Sequence, residues 1–213
     1  MKTVKSKIKR TPARGIYDKE EIYKILDKEF LCHVGFIYQH YPVVIPTLFG
    51  RKGDELYVHG SSASRLIKSL ATEMDMCLSV AGVSGIVLAR SAFHHSMNYE
   101  SVVVFGRGKL VPDSEKEDAL KIISDHILPG RWEEVRKPNR KELKATKVIR
   151  IRIDEASAKR RTGDPKDEKE DMDLKIWAGV LPVIKSFGNP QPDSNMVKKY
   201  SLPESIRKAL YPS

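Results

Sequence analysis

A series of short apolar segments separated by polar turns is the feature that most constrains the fold of this chain. Residues 31–38, 42–49 and 55–58 are rich in Val, Ile, Phe and Tyr, and polar turns at residues 39–40 and 51–54 separate them. Such runs joined by short polar turns are typical of antiparallel hairpins. The sequence therefore predicts a β-meander in this part of the chain.

Further strands are predicted on the C-terminal side of the meander. Apolar runs at residues 76–81 and 86–89 flank a turn at 82–85, and a longer run covers 101–111. Residues 148–154 alternate between isoleucine and arginine, which indicates a strand with one buried face. About six antiparallel strands result, so we expect a mainly β fold with peripheral helices, arranged as a small barrel.

Three helices are predicted around these strands. The first covers residues 19–29 and has Asp18 as its N-cap, and the second covers residues 64–72. Ser114, with Glu117 three residues later, is predicted to cap the third helix, which Pro129 and Gly130 end. The β-α-β alternation and the glycine motifs of Rossmann and P-loop proteins are missing, so neither fold is predicted.

The chain is expected to contain one domain at residues 11–187, between a basic arm at 1–10 and a peripheral tail at 188–213. No apolar run of about 18 residues occurs, and no apolar segment follows the N-terminal lysines, so we expect neither a membrane partner nor a secretory signal. Cys32 and Cys77 lie far apart in apolar stretches and are expected to be free thiols, which indicates a cytoplasmic setting.

The formal net charge of +10 favours an anionic partner, such as a phosphorylated cofactor or nucleic acid. The distribution of charge weakens this inference, because the basic cluster at residues 159–161 is followed at once by an acidic run at 164–173. The basic arm at 1–10 is expected to be a solvated tail. Net charge alone does not distinguish these partners.

Residues 58–65 are the most informative stretch for phosphate binding. A predicted strand ends in a small loop with serine hydroxyls, Gly60 permits close backbone approach, and Arg65 supplies a guanidinium at the start of a helix. The alternative is that Ser62 or Ser64 is an ordinary N-cap and that Arg65 is solvated. The pattern leaves both interpretations open.

Two other stretches contain residue types that bind metals, anions or planar rings. His94 and His95 are adjacent, so on extended chain they point to opposite faces, and we expect no metal site there. They are instead expected to line a pocket or a dimer interface. Arg161 and Trp177 could bind an anion and pack on a planar ring, or they could be an ion-pair member and a core residue.

Read together, these segments resemble the flavin-nucleotide-binding proteins of the pyridoxamine 5′-phosphate oxidase-like superfamily, close to its nitroimidazole-resistance (Nim-type) branch. The resemblance runs from about residue 11 to residue 182. It rests on an ordered series of segments: residues 17–27, 32–36, 42–47, 59–65, 88–96, 98–106, 129–132 and 177–182.

The resemblance implies a six-stranded antiparallel split barrel that binds FMN at the interface of a homodimer. It also implies which residues contact the cofactor: Ile45, Pro46 and Thr47 beside the flavin ring, Val58 and His59 at the end of the next strand, Gly60, Ser64 and Arg65 around the phosphate, and Ser101 and Trp177 farther along the chain.

Two departures from the family bear on the reaction. The oxidase itself carries basic residues along the strand that matches residues 43–48, and this chain has none there, which argues against vitamin B6 phosphate as substrate. Nim-type proteins carry a histidine where this chain has Arg65. The leading hypothesis is therefore an FMN-dependent oxidoreductase that acts on another small planar molecule.

Two other hypotheses stay open. The first is a haem-binding or haem-degrading protein, because related split barrels bind haem through a histidine. The second is a nucleic-acid-binding module that uses the basic arm, which we rank last because the strands lack the aromatic and basic face typical of single-strand binders.

Overall fold

The computed structural model describes residues 1–198 and 200–211. Strands dominate these residues, as the alternating sequence predicts, and helices lie between them. The strands are β1 (Gly15–Ile16), β2 (Leu31–Tyr38), β3 (Tyr41–Lys52), β4 (Glu55–Ser61), β5 (Asp75–Leu88), β6 (Ser96–Leu110), β7 (Thr146–Arg152), β8 (Glu155–Arg161) and β9 (Gly179–Pro182). The helices are α1 (Lys19–Asp27), α2 (Arg65–Leu70), α3 (Lys116–Ile127), α4 (Arg140–Ala145) and α5 (Glu204–Leu210).

Six of the strands close a ring in the order β6, β7, β4, β3, β2, β5 and back to β6, and all neighbours in the ring are antiparallel. β8 extends the sheet from β6 and carries β1 at the edge, while β9 pairs with β5. Closure removes most free strand edges. The ring confirms the predicted six-stranded split barrel with peripheral helices.

The barrel interior is filled by the inward residues of alternating strands. Cys32, Val34 and Phe36 of β2 are buried, whereas the residues between them are more exposed. The predicted alternation in β7 is also confirmed, since Ile149 and Ile151 are fully buried. α1 closes this core with its apolar face, and a second, smaller cluster lies between α3 and the outer face of the sheet.

The helix caps agree with the sequence in part. The Asp18 carboxylate accepts the backbone N–H of Glu21 at 3.0 Å, which confirms the predicted start of α1. The predicted cap at Ser114 is wrong, because Glu115 occupies the cap position and makes no side-chain cap bond. The first turn of α3 is held instead by Lys116, whose buried ammonium donates to the Leu143 carbonyl at 2.8 Å.

Three strands and one turn differ from the sequence-based expectation. β1, β8 and β9 were not predicted, and the turn expected at residues 82–85 is instead part of the continuous strand β5, which has a bulge between Val83 and Gly85. Gly85 serves close packing there, because a Cβ on it would lie 2.7 Å from Cγ1 of Val180 in β9.

The two ends of the chain contact the barrel at several points. In the basic arm, Ser6 is buried, and the backbone N–H of Ile8 donates to the Tyr17 hydroxyl at 2.8 Å. In the tail, the Ser205 backbone N–H donates to the Glu134 carboxylate at 2.9 Å. None of the helices in the described ranges is long and apolar enough to cross a membrane.

Candidate functional site

The loop that follows β4 has the hydroxyl-rich geometry predicted for a phosphate-binding segment. The Ser64 hydroxyl accepts the backbone N–H of Ile67 at 3.2 Å and so caps α2, which is the simpler of the two interpretations of this residue. A Cβ on Gly60 would lie 3.1 Å from Cγ1 of Ile67 and 3.4 Å from the Ser64 hydroxyl. Gly60 therefore lets β4 pass close to the start of α2.

Arg65 is exposed at this loop and is available for an anion. Among the described residues no carboxylate lies within ion-pair distance of it, and its guanidinium carbon lies 5.4 Å from the centre of the Tyr38 ring. Tyr38 ends β2, so the β2–β3 hairpin lies beside the loop. Sequence reasoning missed Tyr38, since only the fold brings it under Arg65.

The three predicted flavin-ring residues of β3 do not share one face. Ile45 lies opposite Val34 and Thr47 opposite Cys32, both of which point into the barrel, whereas Pro46 lies opposite exposed His33. Ile45 and Thr47 are half-buried and Pro46 is exposed. The segment is an accessible part of the strand next to β4.

Val58 and His59 lie in β4, which the sequence predicted to end here but which continues to Ser61. Val58 is fully buried in the barrel core, so its side chain offers no free surface within one protomer. His59 points to the opposite face, and its Nδ1 is buried without a hydrogen-bond partner among the described residues. Burial lowers the pKa of His59 below its usual 6.5.

Strand pairing does not bring Ser101 and Trp177 to this loop within one protomer. Ser101 is half-buried in β6 and pairs with Ala81 and Lys159, three strands round the ring from β3. Trp177 precedes β9, is 68% exposed, and its ring packs against Gly179, where a Cβ would lie 3.0 Å from the indole.

The adjacent histidines lie between β5 and β6, His94 at the end of a 3-10 turn and His95 directly after it. His94 lies 3.4 Å from the Glu168 carboxylate, and Nε2 of His95 lies 3.2 Å from the Ala89 carbonyl oxygen. The two side chains thus have separate partners, although both line one pocket with Arg161.

An exposed apolar surface covers the outer face of β2 and β3. Val44 is 64% exposed, Ile37 is 53% exposed and Leu31 is 45% exposed, and they lie on the same side of the hairpin as Pro42 and Pro46. Isolated apolar residues on a surface are common, whereas large contiguous apolar surfaces are typical of interaction sites.

Comparison with known proteins places the chain in a family. The family model for pyridoxamine 5′-phosphate oxidase matches residues 18–160. A search of curated proteins found no match.

Three solved structures are similar to the chain. The flavocytochrome Anf3 from Azotobacter vinelandii is 40% identical with a TM-score of 0.91, and the match covers 97% of each chain. The FAD and haem binding protein from Mycobacterium smegmatis is 35% identical with a TM-score of 0.89, over 92% of this chain and 97% of that one. A protein from Bacteroides thetaiotaomicron described in terms of 5-nitroimidazole antibiotic resistance is 26% identical, with a TM-score of 0.58, over 68% of this chain and 85% of that one.

The family match covers most of the barrel, and two relatives are more than 30% identical over nearly the whole chain. The resemblance seen in the sequence is thereby confirmed. The chain belongs to the pyridoxamine 5′-phosphate oxidase family of flavin-binding split barrels.

Proposed function

We propose that this protein is a flavin-dependent oxidoreductase that binds its flavin as a homodimer and acts on a small planar substrate. The observation that carries the proposal is the exposed Arg65 guanidinium, which has no carboxylate partner among the described residues and lies beside the serine hydroxyls of residues 61–64. A cation next to several hydroxyl donors is the donor set that a phosphate group requires.

The residues present fit the phosphate end of a flavin nucleotide. Gly60 has no side chain where the backbone passes close to α2. Ser61, Ser62 and Arg65 are exposed. Ser64 keeps its hydroxyl hydrogen for a ligand while its oxygen caps α2. These groups would hold the phosphate through charge and hydrogen bonds together.

The flavin ring is proposed to lie along β3 at Ile45, Pro46 and Thr47, with Val58 and His59 in the neighbouring strand. The adjacency of β3 and β4 supports this placement, because Phe49 pairs with Val58 just beyond the segment. When bound, a flavin accepts or donates electrons as a pair or singly, and the protein supplies orientation and solvent exclusion. The Nδ1 of His59 in β4 is buried and has no hydrogen-bond partner among the described residues, so a polar group of the ligand that reached it would satisfy it.

The homodimer is part of the proposal because the site is incomplete in one protomer. Ser101 and Trp177, which the family resemblance also puts at the flavin, lie on other parts of the barrel. The apolar outer face of β2 and β3, with Ile37 and Val44 more than half exposed, supplies the kind of surface that a second copy would cover.

The flavin itself is FMN or FAD, which share the phosphate and ring that the loop and β3 would hold. FMN follows from the family resemblance. Two relatives cover more than nine-tenths of this chain. One is named a flavocytochrome and the other an FAD and haem binding protein, and the name of the second favours FAD. We therefore propose FAD as the cofactor of the purified protein and FMN as a ligand that the same site accepts.

Haem is a second candidate cofactor, favoured by the names of the same two relatives. We propose that haem accompanies the flavin, which would make this chain a flavocytochrome. A Soret band in the spectrum of protein produced with sufficient haem supports this proposal. Protein that shows flavin absorbance but does not take up added haemin contradicts it.

An Arg65→Ala variant tests the proposed flavin site. Loss of one charged hydrogen-bond donor should weaken flavin binding by about 1.5–3 kcal/mol, which is roughly 10- to 150-fold. Arg140→Ala is the matched control, because Arg140 is also exposed and has no ion-pair partner among the described residues. Flavin affinity that is equal in the two variants would place the phosphate elsewhere.

A further inference from the structure

A strongly basic pocket lies at the opposite end of the barrel from the phosphate loop. Its volume is about 570 Å³, and the start of β6, the end of β8 and the N-terminal arm form its walls. β7 lies between β6 and β4 and pairs with residues 108–110, at the other end of β6. The pocket is lined by Arg10, Thr11, Arg14, Phe93, His94, His95, Ser96, Lys159, Arg161 and Lys166.

The charge of this basic pocket is not neutralised by the protein. None of its lining residues is acidic, and none of its lysines and arginines forms an ion pair within residues 1–198 and 200–211. Two carboxylates lie near the pocket, and neither forms an ion pair with one of these lysines or arginines. Asp167 pairs with Arg90 at 2.9 Å, and Glu168 contacts His94 at 3.4 Å.

Arg161 is the most informative residue of the basic pocket, because it is only 7% exposed. Its guanidinium donates to the side-chain oxygen of Asn98 and to the carbonyls of Gly163 and Asp164, the latter two at 3.0 Å. These acceptors are neutral, and a guanidinium has five N–H donors. A buried charge normally has a counter-charge, and none of these three acceptors supplies one.

The N-terminal arm is built into this pocket. The Lys159 ammonium donates to the carbonyl of Arg10 at 3.2 Å, and Gly15 in β1 pairs with Lys159. Thr11 has a φ of 54°, an unfavourable value for a β-branched residue, and the surrounding contacts hold it there. The arm thus places Arg10 at the pocket, and the 3-10 turn Pro12–Arg14 that follows it places Arg14 there.

Phe93 adds an aromatic surface at the rim. It is 89% exposed, and its ring meets the His94 ring edge-on with centroids 5.2 Å apart. It is the one large apolar side chain in the lining, so a macrocycle would find no apolar walls here. A ligand with a single planar ring and a highly charged remainder suits this composition.

From these observations we propose that the basic pocket binds a nucleotide, with its phosphates on the cationic side chains and its base on Phe93. This ligand is additional to the flavin, and the inference does not rest on the proposed flavin site. The basic arm, whose role the sequence left open, would then supply one of the phosphate-binding side chains, Arg10.

Calorimetric titration of the full-length protein with ADP and with inorganic pyrophosphate tests the proposal. Both probes should bind, and ADP should bind more tightly because of the base. Lys166→Glu should weaken both probes by about tenfold or more, since it replaces an attraction by a repulsion. Lys141→Glu, the same change at an exposed lysine on α4, should leave binding unchanged.

Two further variants make the outcome specific. Phe93→Ala should weaken ADP without affecting pyrophosphate, while Arg65→Ala, at the flavin loop, should change neither. Absence of binding, or equal losses in Lys166→Glu and Lys141→Glu, would overturn the proposal. Equal affinity for ADP and pyrophosphate would overturn the nucleotide assignment, and a loss of ADP binding in Arg65→Ala would put the probe at the flavin loop instead.

Discussion

Replacing Gly50 by alanine tests how closely α3 packs on β3, the strand proposed to run beside the flavin. A Cβ at this position would lie 2.7 Å from the Cα of Ile123 and 2.8 Å from the carbonyl oxygen of Ile122. Both atoms belong to the helix backbone, so no side-chain rotation relieves the contact and α3 must move. Overpacking of this kind destabilises by about 1–3 kcal/mol.

The expected result is a lower midpoint of unfolding for Gly50→Ala. For a chain of this size each kcal/mol corresponds to roughly 2–4 °C, so the melting temperature should fall by roughly 2–12 °C. Gly188→Ala is the control, because nothing lies within 4 Å of the Cβ that it adds. Urea unfolding of both variants gives the free energies, and a Gly50→Ala midpoint equal to that of the control would refute the close seating of α3.

Two other predictions concern buried titratable groups. Burial lowers the pKa of His59 and His126 below 6.5, so the folded state binds fewer protons than the unfolded state, and the free energy of unfolding should decrease as the pH falls from about 7.5 to about 5. A double variant, His59→Gln with His126→Gln, should show a smaller decrease, and an identical pH profile would contradict the assignment. Burial raises the pKa of the Cys32 thiol to about 12, so peptide mass spectrometry should find Cys32 alkylated only after unfolding, whereas half-buried Cys77 reacts earlier. Equal labelling rates of the two thiols in folded protein would be the contrary result.

The strands of the barrel were predictable because each buries one face. Successive side chains of β2 point to opposite faces of the sheet, and those that point inward are apolar. The predicted bounds of this strand, residues 31–38, agree with the structure. The starts of α1 and α2 were equally readable, since the Asp18 and Ser64 side chains cap their helices through local bonds. Most features that depend on near neighbours in sequence were thus accessible without the structure, and the cap predicted at Ser114 is the exception.

Features that depend on distant neighbours were missed. Residues 155–161 form β8, although the sequence showed only a basic cluster there. The strand is stabilised by residues distant in sequence, since Arg160 is paired with Glu21 and Glu100 from two other elements. Likewise Gly82 and Gly85 gave a turn signal, but their small size serves packing inside one long strand. Tertiary contacts of this kind override local propensity.

The candidate site was predictable in the same uneven way. The loop at residues 60–65 could be found from its glycine, hydroxyls and arginine, and the structure adds Tyr38 beneath Arg65. Ser101 came from the family resemblance alone, Trp177 also from its capacity to pack on a planar ring, and nothing in their local sequence relates them to that loop. Their role stays a prediction that depends on a second protomer.

The central claim is that this barrel binds a flavin, and the most direct test is the visible spectrum of the purified protein with identification of the released cofactor. We predict the absorption bands of an oxidised flavin, and release of FAD or FMN in an amount equal to that of the protomers. A colourless protein that also fails to bind added FAD or FMN would contradict the proposal.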